Sequence, residues 1–275
     1  MGGERREHWR ARLDLVFEAQ RHRTVLARKR QFGPLAVQRA FYPEGAPCHV
    51  YLLHPPGGIV GGDRLDIDVQ VAAGAHALLT QPGAAKVYRS AGSTAEQRQH
   101  LQVADGGVLE WLPQEMILFP GARLRAETRV QLSGAARCIG WELLSLGRPV
   151  IGERFAPGRA DLRLTLERDG RPLLLDRLRI DDGAGLDGPS GLRGLPVSGT
   201  LFAAGANTDD LDAARAVIEQ WPGLIVGATR LDDLLVVRAL AHRTETVMHC
   251  FRAVWRALRP RLLAIEASPP RIWAT

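Results

Sequence analysis

The chain has 275 residues, 45% of them hydrophobic and 24% charged, which is enough to bury a sizeable core, and it holds no apolar run of about 18 residues that would form a membrane-spanning helix. Its three cysteines, Cys48, Cys138 and Cys250, stand far apart and in no CxxC pair, which argues against a disulfide framework, excludes a zinc finger and fits a reducing compartment. The net charge of +6 is almost wholly arginine, since Lys29 and Lys86 are the only lysines, and the arginines are spread along the chain rather than gathered in the stripe a nucleic-acid track needs.

The N-terminal MGGERREHWR is charged without an apolar stretch, so no secretory signal is expected. Arg6 stands where a myristoylation motif needs Ser or Thr. Residues 1–10 are expected to be flexible and the location cytoplasmic. Arg21, His22, Arg23, Arg28, Lys29 and Arg30 follow as a basic cluster. A solvated face and a site for an anion or acidic partner are both open there.

Short alternating runs then dominate. Leu65, Ile67, Val69 and Val71 alternate with Asp66, Asp68 and Gln70; Leu124 to Leu132 and Ala160 to Leu166 repeat the pattern with Arg, Glu and Asp. Period two with one apolar face predicts half-buried strands. Turn signals such as Gly33-Pro34, Pro82-Gly83, Pro120-Gly121 and Asp169-Gly170 separate them. Strands without intervening helices point to a mainly β core. No repeat of fixed period is present, so the pattern by itself indicates no regular solenoid.

Asp181 to Thr200, DDGAGLDGPSGLRGLPVSGT, reads as a mobile glycine-rich loop. Two helices are predicted after it. The first starts at Thr208 as N-cap, with Asp209 and Asp210 in its first turn, and carries Leu211, Ala214, Val217, Ile218 and Trp221 up to Pro222. The second starts near Thr244, carries Val247, Met248, Phe251, Val254, Trp255 and Leu258, and closes at Pro260. Their apolar faces are expected to pack on the β core.

One stretch invites a chemical reading: HPPGGIVGGD, His54 to Asp63. A phosphate loop needs Lys and Ser or Thr where Asp63 and Arg64 stand, and the dinucleotide fingerprint is broken at Ile59. Gly57, Gly58, Gly61 and Gly62 therefore serve positive φ angles or close backbone approach between two strands, with Asp63 capping the turn. No GxSxG or HExxH is present. Lys86, Tyr88 and Arg89 in AAKVYRS suit an anion but have no paired base. In LEWLPQEMILFPGA, Leu109 to Ala122, the acids Glu110 and Glu115 stand among apolar residues; a Glu in that setting is an edge residue or a buried group with a partner. The adjacent pairs Cys48-His49 and His249-Cys250 point apart and clamp no ion, so no tight metal site is expected.

Three segments in order, FYPEGAPCHVYLLHPPGGIVGGDRL (Phe41 to Leu65), LLTQPGAAKVYRS (Leu78 to Ser90) and LEWLPQEMILFPGA, resemble the UreD family of urease accessory proteins, also called UreH. GPLAVQRAFYPE before them and WELLSLGRPVIGERF (Trp141 to Phe155) after them fit the same family. The sequence departs from the family pattern at Gln81, Ala84, Ala85, Met116 and Phe119-Pro120. The resemblance implies one domain over residues 1–275, mainly β, with stacked, β-helix-like sheets and two α-helices near the C-terminus. It implies a non-enzymatic maturation factor that binds UreF, holds the GTPase UreG through UreF, and docks on the urease apoprotein. Nickel is then cargo in transit along an internal route, with no tightly bound cofactor and no specific nucleic acid. Asp63 is the first candidate for the passage or an interface, with a transient nickel contact; Lys86, Tyr88 and Arg89 follow, then Glu115 and Glu142. The alternatives are a β-rich hydrolase using carboxylates such as Asp63 and Glu115, and a basic nucleic-acid-binding protein.

Overall fold

A computed structural model of the chain describes residues 8–183 and 186–274. Residues 1–7 of the expected flexible start, and 184 and 185 of the glycine-rich segment, lie outside it. Strands alternate between two facing sheets. The first sheet has seven strands in the order β14 (Arg171–Asp181), β13 (Arg159–Arg168), β11 (Arg123–Leu132), β8 (Ala95–Val103), β5 (Arg64–Val71), β1 (Arg10–Gln20) and β2 (Arg23–Phe32). The second, of ten strands, runs β16 (Ile225–Leu231), β17 (Leu234–Ala241), β15 (Val197–Ala204), β12 (Arg137–Leu146), β9 (Val108–Leu112), β6 (His76–Thr80), β4 (Cys48–Leu53) and β3 (Ala36–Val37). The short β7 (Ala85–Val87) and β10 (Met116–Leu118) pair beside β12.

The centre of each sheet is parallel: β1, β5, β8, β11 and β13 in one, β4, β6, β9 and β12 in the other. Each turn of the chain therefore lays one strand on each sheet, and the turns stack as the coils of a solenoid. This corrects the reading from periodicity, which found no solenoid. The coils stack in register although their lengths differ: Arg64, Glu96, Arg125 and Asp161 lie in one cross-strand row. Unequal corners leave no fixed period for a repeat search to find.

That row is one of several on the solvent face of the seven-stranded sheet. Arg12, Asp66, Arg98, Glu127, Arg163 and Arg177 form the next. Opposite charges directly across strands stabilise, and like charges destabilise. Arg129 reaches Glu167 at 3.0 Å and Arg177 reaches Asp161 at 2.8 Å across strands, while Arg64 reaches Asp66 at 3.0 Å two positions along β5. Much of the arginine is thus spent on neighbouring carboxylates of the same face.

The inner faces of the sheets close on one apolar cluster that includes Leu13, Phe17, Val69, Leu101, Trp111, Val130 and Phe202. A second cluster lies on the other face of the ten-stranded sheet, under two helices, α1 (Thr208–Ile218) and α2 (Thr244–Leu263). Val247, Phe251, Val254, Trp255 and Leu258 of α2 are all buried there, as expected of a core-facing stripe. The helix ends differ from expectation. The N-cap of α1 is Asn207, not Thr208: its side chain accepts from the Asp210 N–H at 3.1 Å while Asp210 accepts from the Asn207 N–H at 2.9 Å. Pro260 does not close α2, which runs one more turn, held by buried Leu262 and by Arg261 on Asp210 at 2.9 Å. The glycine-rich segment is also shorter than expected, because β14 reaches Asp181 and β15 begins at Val197.

Candidate functional site

His54 to Asp63 crosses from β4 in one sheet to β5 in the other and forms a corner of the solenoid. Gly57 and Gly62 have φ angles of 75° and 96°, which L side chains avoid. A Cβ on Gly58 would overlap the Tyr88 ring, and one on Gly61 would overlap Ser90. The four glycines thus divide between the two roles expected of them. Asp63 is 5% exposed. Its Oδ2 accepts the Val60 N–H at 2.9 Å and its Oδ1 accepts the Trp9 N–H at 3.0 Å, so it caps the corner and ties it to the start of β1.

The corner gathers the other motif segments. The Ile59 N–H donates to the Lys86 carbonyl at 2.7 Å, and the Tyr88 N–H donates to the Ile59 carbonyl at 2.8 Å. The Tyr88 ring lies 4.9 Å from that of Phe119, and Arg89 bridges to Ala122. Lys86, Tyr88, Arg89 and Val60 are exposed here. Glu115, half-buried, joins through its backbone, its carbonyl accepting the Ala85 N–H at 2.9 Å, and its charge faces Arg252 on α2.

Glu142 lies elsewhere, between the sheets, and a strip of polar side chains leads towards it. Behind the corner is a cavity of about 180 Å³ lined by His54, Ile59, Gln97 and the β7 segment. Burial lowers the proton affinity of His54, against the pull of Asp63, so its imidazole is neutral at pH 7. Gln97 is 5% exposed and its Oε1 has no partner among the described residues. Gln99, the next inward position on β8, accepts from the Thr128 hydroxyl at 2.8 Å. Thr128 in turn lies close enough to Glu142 on the opposite sheet to act on its carboxyl.

Glu142, Thr200 and Arg238 form one cross-strand row on β12, β15 and β17. Asp176 comes from β14 in the other sheet and meets Arg238 at 2.9 Å. These groups line a cleft of about 530 Å³ between the edge strands β14 and β16. Glu142 is half-buried and lines the cleft. Burial raises its pKa to about 7; Thr128 opposes the rise and the Asp176 charge adds to it.

A second charged group lies on the far side of the ten-stranded sheet, under α2. Arg259 is fully buried and donates to both Glu110 oxygens at 2.9–3.1 Å and to both Glu44 oxygens at 2.6–2.7 Å. The Trp255 indole donates to Glu110 at 2.6 Å, and His76 and His49 close the ends on Glu110 at 2.7 Å and Glu44 at 2.5 Å. Burial would raise the Glu110 pKa, but the His76 imidazole and the Arg259 guanidinium hold it at about 2. Glu110 is thus a buried group with partners, one of the two outcomes its apolar context allowed.

No nucleophile and base stand together in these places. Among the described residues no group of three or more His, Cys, Asp or Glu could hold a metal ion. All three cysteines are buried, and burial raises each thiol pKa, so none is a ready thiolate. Sequence reading singled out Asp63 and Glu142 but missed His54, Gln97, Asp176 and Arg238. The available signal was polar residues at inward positions: Gln97 and Gln99 in the alternating β8, and a lone Arg238 in LLVVRALA.

The sequence model of the family described as UreD urease accessory protein matches residues 10–274. The urease accessory protein UreD of Alcanivorax borkumensis is 47% identical over 276 aligned residues, covering 98% of this chain and 94% of its own length. That of Pseudomonas putida strain W619 is 48% identical, covering 99% and 98%. That of Citrobacter koseri is 46% identical, covering 97% and 92%.

Proposed function

The chain belongs to the UreD family of urease accessory proteins, and we propose that it serves urease maturation as a single-domain, non-catalytic cytoplasmic scaffold through which nickel passes to the urease apoprotein. The observation that carries this reading is the polar strip between the sheets, from His54 and Gln97 at the glycine corner to Glu142 and Asp176 at the β14–β16 cleft. Its donors are isolated carboxylate and amide oxygens and one neutral imidazole. Such donors hold a divalent ion weakly and release it, whereas a closed His and Cys site would trap it. Asp63, with its oxygens already accepting two backbone N–H groups, has lone pairs left for a passing ion at the corner end.

The exposed corner residues Lys86, Tyr88, Arg89 and Val60, with Glu115 beside them, are the interface candidates for UreF, which holds UreG, or for urease itself. Among the described residues no helix is long and apolar enough to cross a membrane. The test is urease activation in cells carrying all other urease genes. Deletion of this chain is expected to leave urease without nickel. The pair Glu142→Gln with Asp176→Asn is expected to keep the accessory complex assembled but abolish activation. Active, nickel-loaded urease after deletion sinks the maturation role. Normal activation by the double variant sinks the passage.

A further inference from the structure

The β14–β16 cleft holds two carboxylates and one guanidinium, and the guanidinium sits where a cation would. Glu142 and Arg238 are two strands apart on the same row, with Thr200 between them, which separates their backbones by about 10 Å. Asp176 faces them from the other sheet and is bound by Arg238 at 2.9 Å. The neighbouring Arg177 does not compete, because the strand alternation turns it to the outer face, where it pairs with Asp161 at 2.8 Å. Arg238 thus neutralises Asp176 across the gap and leaves Glu142 on the same row without a cation of its own among the described residues. The Arg238 side chain is 55% exposed against 26% for Asp176, so the pair sits at the mouth of the cleft and its cation is the half that swings into water. An ion pair this exposed is weak and readily exchanged.

We propose that Arg238 is a displaceable counter-ion: its guanidinium holds Asp176 while the cleft is empty, and an incoming divalent cation takes its place between Asp176 and Glu142. This rests on the nickel-passage reading and assigns that passage its gate. The guanidinium sets a threshold against weakly attracted monovalent ions, since a replacement must bind two carboxylates at once. It also lowers the affinity for the cargo and so helps its release.

The measurement is equilibrium dialysis of the full-length chain against nickel chloride. Arg238→Gln is expected to bind Ni²⁺ on the order of five-fold more tightly than the unaltered chain, because one exposed competing ion pair is gone. Arg238→Lys, which keeps the charge, should bind as the unaltered chain does. Adding Asp176→Asn to Arg238→Gln should erase the gain. Unchanged affinity in Arg238→Gln, or a gain that survives Asp176→Asn, overturns the proposal. Urease activation by the pair Glu142→Gln with Asp176→Asn separates the two readings. Normal activation there, with Ni²⁺ tightened in Arg238→Gln, removes the passage and leaves the counter-ion; failed activation with no tightening does the reverse.

Discussion

The two faces of the ten-stranded sheet carry charge on opposite terms. Under α2, Glu110 and Arg259 are sealed from water and share direct hydrogen bonds with each other, Arg259 also binds the half-buried Glu44, and it donates to the Glu266 carbonyl. Between the sheets, Glu142, Asp176 and Arg238 line an open cleft with one exposed ion pair among them. Burial acts on both Glu110 and Glu142, yet the pKa values move apart, to about 2 and about 7. The difference lies in partners. Glu110 has a guanidinium, an indole and an imidazole; Glu142 has a hydroxyl and a like charge. A fully paired buried charge fixes a helix in place, whereas an underpaired one facing a cleft is available for a ligand.

The contrast is broken most forcefully from the sealed side. Arg259→Met leaves the buried Glu110 and the half-buried Glu44 without their cation and is expected to cost about 3–5 kcal/mol, measured by urea unfolding. Loss below about 1 kcal/mol would mean that the cluster does not anchor α2. The Glu110 contribution is present above pH 4.5 and is lost as pH falls through about 2, so the unaltered chain should weaken in acid over that window.

Glu142 should do the opposite. Its raised pKa gives stability in full below pH 4.5, which is lost as pH rises through about 7. Glu142→Gln is expected to remove this loss and to be more stable than the unaltered chain above pH 8, approaching about 3 kcal/mol. A parallel pH profile for the two proteins would mean that Glu142 is ionised at no cost and differs from Glu110 less than its partners imply. Asp63→Ala sharpens it from a third position, a carboxylate paired only with backbone N–H groups. It is expected to cost about 2 kcal/mol, read as a lower urea midpoint. At the small end, Arg129→Ala breaks an exposed pair with Glu167 and should shift stability by no more than about 1 kcal/mol.

What was legible depended on which faces of a strand are wet. The alternating runs at Leu65, Leu124 and Ala160 all belong to the seven-stranded sheet, whose outer face meets water. β12, with its helix-side and inner faces both covered, reads RCIGWELLSL and shows no alternation, because a strand covered on both sides has no polar face to mark. For the same reason Glu142 was visible only as a carboxylate in an apolar run. Whether it served the core or a cleft depended on β14, β15 and β17, which lie far along the chain.

The mainly β character, the two late helices with their core-facing stripes, the backbone duty of the glycine corner and, through its motifs, the UreD family were all readable from the residues alone. These follow from local chemistry: alternation, capping residues, glycine at positive φ. Only the tertiary contacts set that unequal coils stack in register, that Arg129 and Arg177 of the outer face pair across strands, and that Asp176 and Arg238 meet Glu142 while Arg259 meets Glu110. Those outcomes are set by contacts between residues tens to more than a hundred positions apart, and a local pattern carries no record of which distant strand becomes a neighbour.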